Sequence, residues 1–308
     1  MIITVTLNPA IDKTVQIDKL VAGGLNRITD SVCDAGGKGI NVSKTLKVLG
    51  MDSIASGFLG NIAGNLIEEC LDKAGIKHDF VPVDGITRTN TKVADKDGTI
   101  TELNEPGPEL QASELDRLKE KLREYAKLEN IFVFAGNVPK GVGKDIYYDL
   151  IKSIKECGAM CFLDADGELL KCGMAAGPDM IKPNREELCE YFGSTDRSEE
   201  NIIRLGKKLI TQGVKLAAVS CGGDGAIFFF KDQVIKCPSM KVEVKSTVGA
   251  GDAMVAAMLY STEHGFNEID TAKLCIAVSA GAVTTVGTKP ASLEVIQELM
   301  QKVEFERV

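Results

Sequence analysis

Five short runs rich in apolar and β-branched residues, at 2–7, 54–58, 131–135, 160–164 and 216–220, dominate the hydropathy pattern of this 308-residue chain. They are nearly continuous rather than alternating, which fits strands buried on both faces of a parallel sheet. Helical patterns lie between them. Leu115, Leu118, Leu122 and Tyr125 recur on one face, with Ser113 as the expected N-cap. Ser198 opens another helix, Ile202, Leu205 and Leu209 give its apolar stripe, and Gly213 closes it. Gly50 and Gly75 similarly follow helices expected at about 38–49 and 61–74. Strands alternating with helices predict βαβ units with right-handed crossovers, hence an α/β fold. The length, with 44% hydrophobic residues, suffices for one large domain or two.

Two regions break the pattern. Residues 13–35 and 87–104 alternate polar and apolar positions with no helix between, and Asp97-Gly98 reads as a hairpin turn. Together they predict a small antiparallel sheet, drawn from two chain segments and projecting as a lid or a surface excursion. After Gly223, the runs 226–230, 234–237 and 241–244 read as further short strands, an antiparallel edge.

A net charge of −8 argues against broad binding to nucleic acid or a membrane surface. It leaves room for small anions, which respond to local charge. Nine cysteines without a CxxC pair, and only His78 and His264, argue against a zinc site. Unclustered cysteines in odd number suit a reducing cytoplasmic compartment. MIITVTLNP has no basic segment ahead of its apolar run and reads as a first strand, not a signal peptide. No apolar stretch approaches the roughly 20 residues of a membrane span.

The stretch STVGAGD, 246–252, places Gly249, Ala250 and Gly251 before a helix and ends on Asp252. Bare backbone amides at a helix N-terminus make an anion site. A carboxylate there suits a phosphoryl group in transit, the amides holding its charge while the acid takes a proton from the attacking hydroxyl. On this tetrapeptide alone, Asp252 as a helix-capping residue reads equally well. A second cluster, GGKG at 36–39, brings Gly37 and Lys38 to a helix start, with Asn41 one step on. Asp12 follows the first strand, where α/β sheets place ligands, and could hold two sugar hydroxyls. There is no Walker A loop, no GxGxxG and no protein-kinase signature.

With NPAID, GGKGINVS and STVGAGD in this order, the whole chain resembles the ribokinase-like (PfkB) carbohydrate kinases. The resemblance implies a single domain over 1–308. Its fold would be a three-layer α/β/α sandwich with a mainly parallel central sheet and a small antiparallel β lid, from about 12–35 and 87–105. It implies transfer of the γ-phosphoryl of ATP to a sugar hydroxyl with Mg²⁺. Asp252 matches the general base, and Gly249, Ala250 and Gly251 match the anion hole. Asp12, Gly37, Lys38, Asn41, Asn90 and Asn137 match the sugar side. Asn137 lies in AGNVPKG, where relatives carry SGSLPxG; asparagine keeps a donor and an acceptor.

The nucleotide side is implied at Lys182, Asn184, Ser220, Gly222, Gly225, Thr247 and Ser279. Glu187 would organise Mg²⁺, through water. The subgroup resembled acts on sugar phosphates, and Arg27, Lys38 and Arg88 match the residues that bind the phosphate already present. Fructose 1-phosphate is then the expected substrate, tagatose 6-phosphate the alternative, and a non-catalytic sugar-phosphate sensor the reading from another class. A homodimer through the open edges of the lid is a further expectation.

Overall fold

The computed structural model describes residues 1–308. Fourteen strands form two sheets. The larger takes β1 (Ile2–Thr6), while β2 (Ala10–Ile17) and β3 (Asp30–Gly36) leave it for the smaller. The chain returns with β4 (Ser53–Gly60) and β5 (Lys77–Val83), and departs again in β6 (Arg88–Asp95) and β7 (Ile100–Asn104). The larger sheet is completed by β8 (Ile131–Ala135), β9 (Met160–Asp164), β10 (Met180–Ile181), β11 (Leu216–Ser220), β12 (Ala226–Phe229), β13 (Val234–Cys237) and β14 (Glu306–Arg307).

Its order is β14-β13-β12-β11-β10-β9-β8-β1-β4-β5. From β5 to β11 every pairing is parallel; β12, β13 and β14 add an antiparallel edge. β1 lies between β4 and β8, so the winding reverses there and the carboxyl ends of β1, β8, β9 and β11 open onto one crevice.

Ten helices cover the sheet: α1 (Lys38–Val48), α2 (Asn61–Lys73), α3 (Ala112–Tyr125), α4 (Ile146–Glu156), α5 (Gly167–Met174), α6 (Arg185–Tyr191), α7 (Glu199–Thr211), α8 (Ala250–Glu263), α9 (Glu268–Val283) and α10 (Leu293–Met300). Two apolar layers result. One, of 36 buried residues, joins α3–α7 to one face through Phe132, Phe134 and Leu205. The other, of 32, joins α1 and α8–α10 to the opposite face through Phe162, Val255 and Ile276. Layers of nearly equal size explain why the central strands read as unbroken apolar runs: each side chain, inward or outward, has a helix to meet. Each fully buried phenylalanine contributes on the order of 1.5–3 kcal/mol.

Local signals place most boundaries. Ser198 caps α7, its Oγ accepting from the Asn201 N–H at 3.3 Å, and Gly213 ends it in the left-handed region at φ 102°. Ser113 is not the cap of α3. The Glu114 carboxylate accepts from the Gln111 N–H at 2.7 Å, so the helix starts two residues earlier than expected. Residues 241–244 form no strand either. β13 ends at Cys237, and the segment beyond it lines a hollow against α9.

The smaller sheet has the order β3-β2-β6-β7. Each hairpin is antiparallel, as the alternation predicted, but β2 and β6 join the halves in parallel, Ala10 opposite Arg88 through Ile17 opposite Asp95. The reason is topological: β2 follows β1 and β6 follows β5, so both leave the carboxyl edge of the large sheet in the same direction. Val15, Ile17 and Val93 give this sheet a small apolar cluster of its own.

Candidate active site

Gly249 caps α8 with φ 84°, a conformation that disfavours a side chain. The first backbone bond of the helix runs from the Ala253 N–H to the Gly249 carbonyl, so the amides before it have no acceptor inside the helix. At Gly251 a β-carbon would lie 3.1 Å from Lys182 Nζ, so glycine keeps the helix end and the lysine apart. Asp252 is 7% exposed. It does not cap α8: its Oδ2 accepts from Asn41 Nδ2 on α1 at 2.8 Å. Burial, with Asp164 adding to it, pushes the Asp252 carboxyl up to about 6, against the opposing pull of Lys38, Asn41 and Lys182. Its proton therefore exchanges near neutral pH.

Asp164, at the end of β9, joins two cations. Lys38 Nζ approaches its Oδ1 at 3.2 Å and Lys182 Nζ approaches the same oxygen at 3.7 Å. Burial alone would raise the Asp164 carboxyl, but the two lysines outweigh it and hold it below the usual carboxylate range. For Lys38 burial pulls the ammonium down, yet Asp164, Asp252 and Glu187 together raise it above its ordinary value, so it stays charged.

Asp12 sits on β2 against Gly36, where a β-carbon would come within 2.4 Å of its carboxylate. Asn90 Nδ2 donates to Asp12 Oδ1 at 3.2 Å. Arg88 spends three donors on the main chain: Nε and Nη2 on the Asn8 carbonyl at 3.2 and 3.0 Å, and Nη1 on the Glu105 carbonyl at 3.3 Å. Asn137 Oδ1 accepts from the Val138 N–H at 2.8 Å.

These groups line one cleft of about 440 Å³, between the crevice of the large sheet and the lid. Thr6 Oγ1, Asn8 Oδ1, Asn41 Oδ1, Asn90 Oδ1 and Asp164 Oδ2 all face it buried and without a hydrogen-bond partner; outside it, only Ser261 and Thr288 carry such atoms. Unpaired buried polar atoms are costly, and their concentration here marks a surface shaped for a polar ligand.

A second hollow, about 450 Å³, shares Ser220 and Gly251 with the first. Gly222, Gly225, Thr247 and Ser279 line it, beside Met240, Val242, Val244 and Ile276. It carries no charged side chain, which suits a flat heterocycle. Asn184 and Glu187 box the start of α6, each side chain accepting from the other's N–H, at 2.9 and 2.8 Å. A third hollow of about 550 Å³ adjoins the second, but its charges pair among themselves, Arg185 with Asp224 and Lys236 with Glu199.

Every residue expected from the sequence lines one of the first two hollows except Arg27. β2 runs away from the cleft, so the segment joining it to β3 lies at the far end of the lid, and Arg27 is exposed there. Sequence reasoning missed Asp164, Asp166, Thr6, Asn8, Lys92, Glu102 and Asn104, which also line the cleft. The signal for Asp164 was available: a carboxylate closing the buried run 160–164, at a strand end that faces ligands.

An α/β sandwich with two joined hollows, a bare helix N-terminus and a buried carboxylate between them defines a phosphotransferase acting on an alcohol. The profile of the pfkB family carbohydrate kinases matches residues 5–295, and the chain belongs to that family. It is 36% identical over 295 residues to the 1-phosphofructokinase of Haloferax volcanii, covering 96% of this chain and 94% of the relative. It is 34% identical to the D-tagatose-1-phosphate kinase of Bacillus licheniformis, over 92% of each. Among solved structures, phosphofructokinase-2 from Escherichia coli in complex with substrates and products superposes with a TM-score of 0.94 at 27% identity, over 98% of both chains. As a sugar kinase of this family, the enzyme takes its phosphoryl group from ATP. No helix is long and apolar enough to cross a membrane.

Proposed function

We propose that the enzyme phosphorylates fructose 1-phosphate at its C6 hydroxyl, giving fructose 1,6-bisphosphate and ADP. The observation that carries the chemistry is Asp252: buried, bound to Asn41 and raised to about 6 at the mouth of a helix with free amides. Asp252 takes the hydroxyl proton, the C6 oxygen bonds the γ-phosphorus, and the bond to the β–γ bridging oxygen breaks. The amides of Gly249, Ala250 and Gly251, with Lys182, hold the charge of the moving group. Asp12, Asn41, Asn90, Asn137 and the Gly37 backbone hold the sugar hydroxyls, and Lys38 and Arg88 add positive potential to the same cleft. Ser220, Gly222, Gly225, Thr247, Asn184 and Ser279 hold the nucleotide.

No three His, Cys, Asp or Glu residues gather into a metal site. Mg²⁺ would arrive on the nucleotide phosphates, since this ion keeps several waters and uses one or two carboxylates. Glu187, in the cleft and held by its box with Asn184, is the carboxylate to meet it through water. Bound there, Mg²⁺ would neutralise phosphate charge.

The relatives named 1-phosphofructokinase support the acceptor. The relative named D-tagatose-1-phosphate kinase favours a second reading, in which the C4 epimer, tagatose 1-phosphate, is also accepted. That moves the tagatose alternative from the 6- to the 1-phosphate. Nine free cysteines support a reducing, cytoplasmic setting. The lid supports a homodimer, because Leu20, Val21, Leu25, Ile28 and Val32 are all exposed on it, beside Arg27.

A coupled assay of ATP consumption over fructose 1-phosphate, tagatose 1-phosphate, tagatose 6-phosphate, fructose 6-phosphate and fructose tests the proposal. Fructose 1-phosphate is expected to give the highest kcat/KM. No turnover with any of them, alongside sugar-phosphate binding, leaves a sensor instead; a higher kcat/KM for fructose 6-phosphate overturns the acceptor.

A further inference from the structure

Four cations line the sugar cleft: Lys38, Arg88, Lys92 and Lys182. Three are committed. Lys38 and Lys182 share Asp164, and Arg88 gives three of its five N–H donors to the Asn8 and Glu105 carbonyls. Lys92 has neither an ion pair nor a hydrogen bond, although it is only 8% exposed. Its stem is packed while its charged end stays open to the cleft, as long basic side chains do. Its cross-strand neighbour is Glu102, the pair being in register on β6 and β7. Glu102, however, is exposed and accepts from Asn104 Nδ2 at 3.4 Å instead of meeting the lysine.

Side chains alternate along a strand, so Arg88, Asn90 and Lys92 stand on one face of β6. Asn90 contacts Asp12, the residue assigned to the sugar hydroxyls. Lys92 lies one side-chain repeat further along the lid, roughly 7 Å from Asn90. That spacing suits a group projecting from a sugar held at Asp12.

We propose that Lys92 receives the phosphate the sugar already carries, and so sets the preference for a phosphorylated over a plain sugar. The ligand class is a phosphate monoester dianion on a ketose. This rests on the proposed function, and it assigns the phosphate to a residue other than Arg27, Lys38 or Arg88.

The test compares wild type with Lys92→Met and Lys92→Arg, using fructose 1-phosphate and fructose as acceptors. Loss of a charge-assisted contact is expected to raise KM for fructose 1-phosphate by about 10- to 100-fold in Lys92→Met. kcat, KM for ATP and kcat/KM for fructose are expected to hold within about threefold, and Lys92→Arg to restore most of the affinity. A rise in KM below about threefold, or an equal loss on both acceptors, overturns the assignment. If Lys92→Met fails to fold by thermal melting, Lys92→Gln is read by the same limits. Calorimetry with fructose 1-phosphate in the absence of ATP separates the two claims. A wild type that binds the sugar phosphate without turnover sinks the function but leaves Lys92 testable by affinity. A wild type that turns it over, beside an unchanged Lys92→Met, sinks Lys92 alone.

Discussion

Asp252 is held in an environment that opposes its charge, and that has two consequences of opposite sign. The folded protein keeps the Asp252 proton up to about pH 6, while the unfolded chain releases it in the ordinary aspartate range. The native state thus binds more protons in that window, and stability falls as pH rises through it. A raise of this size corresponds to about 3 kcal/mol at most. Asp252→Asn is therefore expected to melt higher than wild type at pH 8, with the gap closing by pH 4, while kcat drops at least about 10²-fold and ATP binding persists. In wild type, kcat/KM should fall below about pH 6 with fructose as acceptor too, since that substrate does not titrate there. Wild-type turnover by the variant, or no gain in melting temperature at pH 8, contradicts the account. Asp252 itself was legible, because glycines before a helix and one acid form a local pattern. The position of Asp164 at a strand end was legible too, but its pairing was not, because Lys38 and Lys182 stand 126 and 18 residues away. Arg27 stands away from the cleft of its own chain, because nearness to a motif in sequence says nothing about which end of a strand a residue occupies.

At the scale of elements, the lid and the large sheet differ in how they are held. Phe134 lies inside the 36-residue layer, whereas Val93 belongs to a cluster of three. Phe134→Ala is expected to cost about 3–5 kcal/mol of global stability. Val93→Ala is expected to cost less than about 1 kcal/mol in global melting, because a cluster of three is small enough to open locally without the sheet. It should instead raise KM for the sugar phosphate several-fold. Equal losses of stability in the two variants would show that the lid unfolds with the core. The alternating pattern announced the lid hairpins, since one face packs and the other meets water. It could not announce the parallel β2–β6 junction, which is set by where β1 and β5 end. The apolar runs gave the central strands; the two-residue β10 and β14 are too short to leave a period.

For the molecule as a whole, the exposed row from Leu20 to Val32 calls for a cover. Sedimentation at micromolar concentration is expected to give a dimer, and Leu25→Glu with Ile28→Glu a monomer. A monomeric wild type would remove the lid as an interface. The two walls of the sugar cleft also differ in what mutation can do to them. Beneath the cleft a methyl at Gly251 would crowd Lys182, and at the root of β3 a methyl at Gly36 would strike Asp12, so neither place tolerates added atoms. On the outer lid strands, Lys92, Glu102 and Asn104 are ordinary strand positions whose side chains bond nothing else in the cleft. Drift in substrate range over evolutionary time should therefore accumulate on the lid strands, while the reaction centre beneath stays frozen by its own crowding.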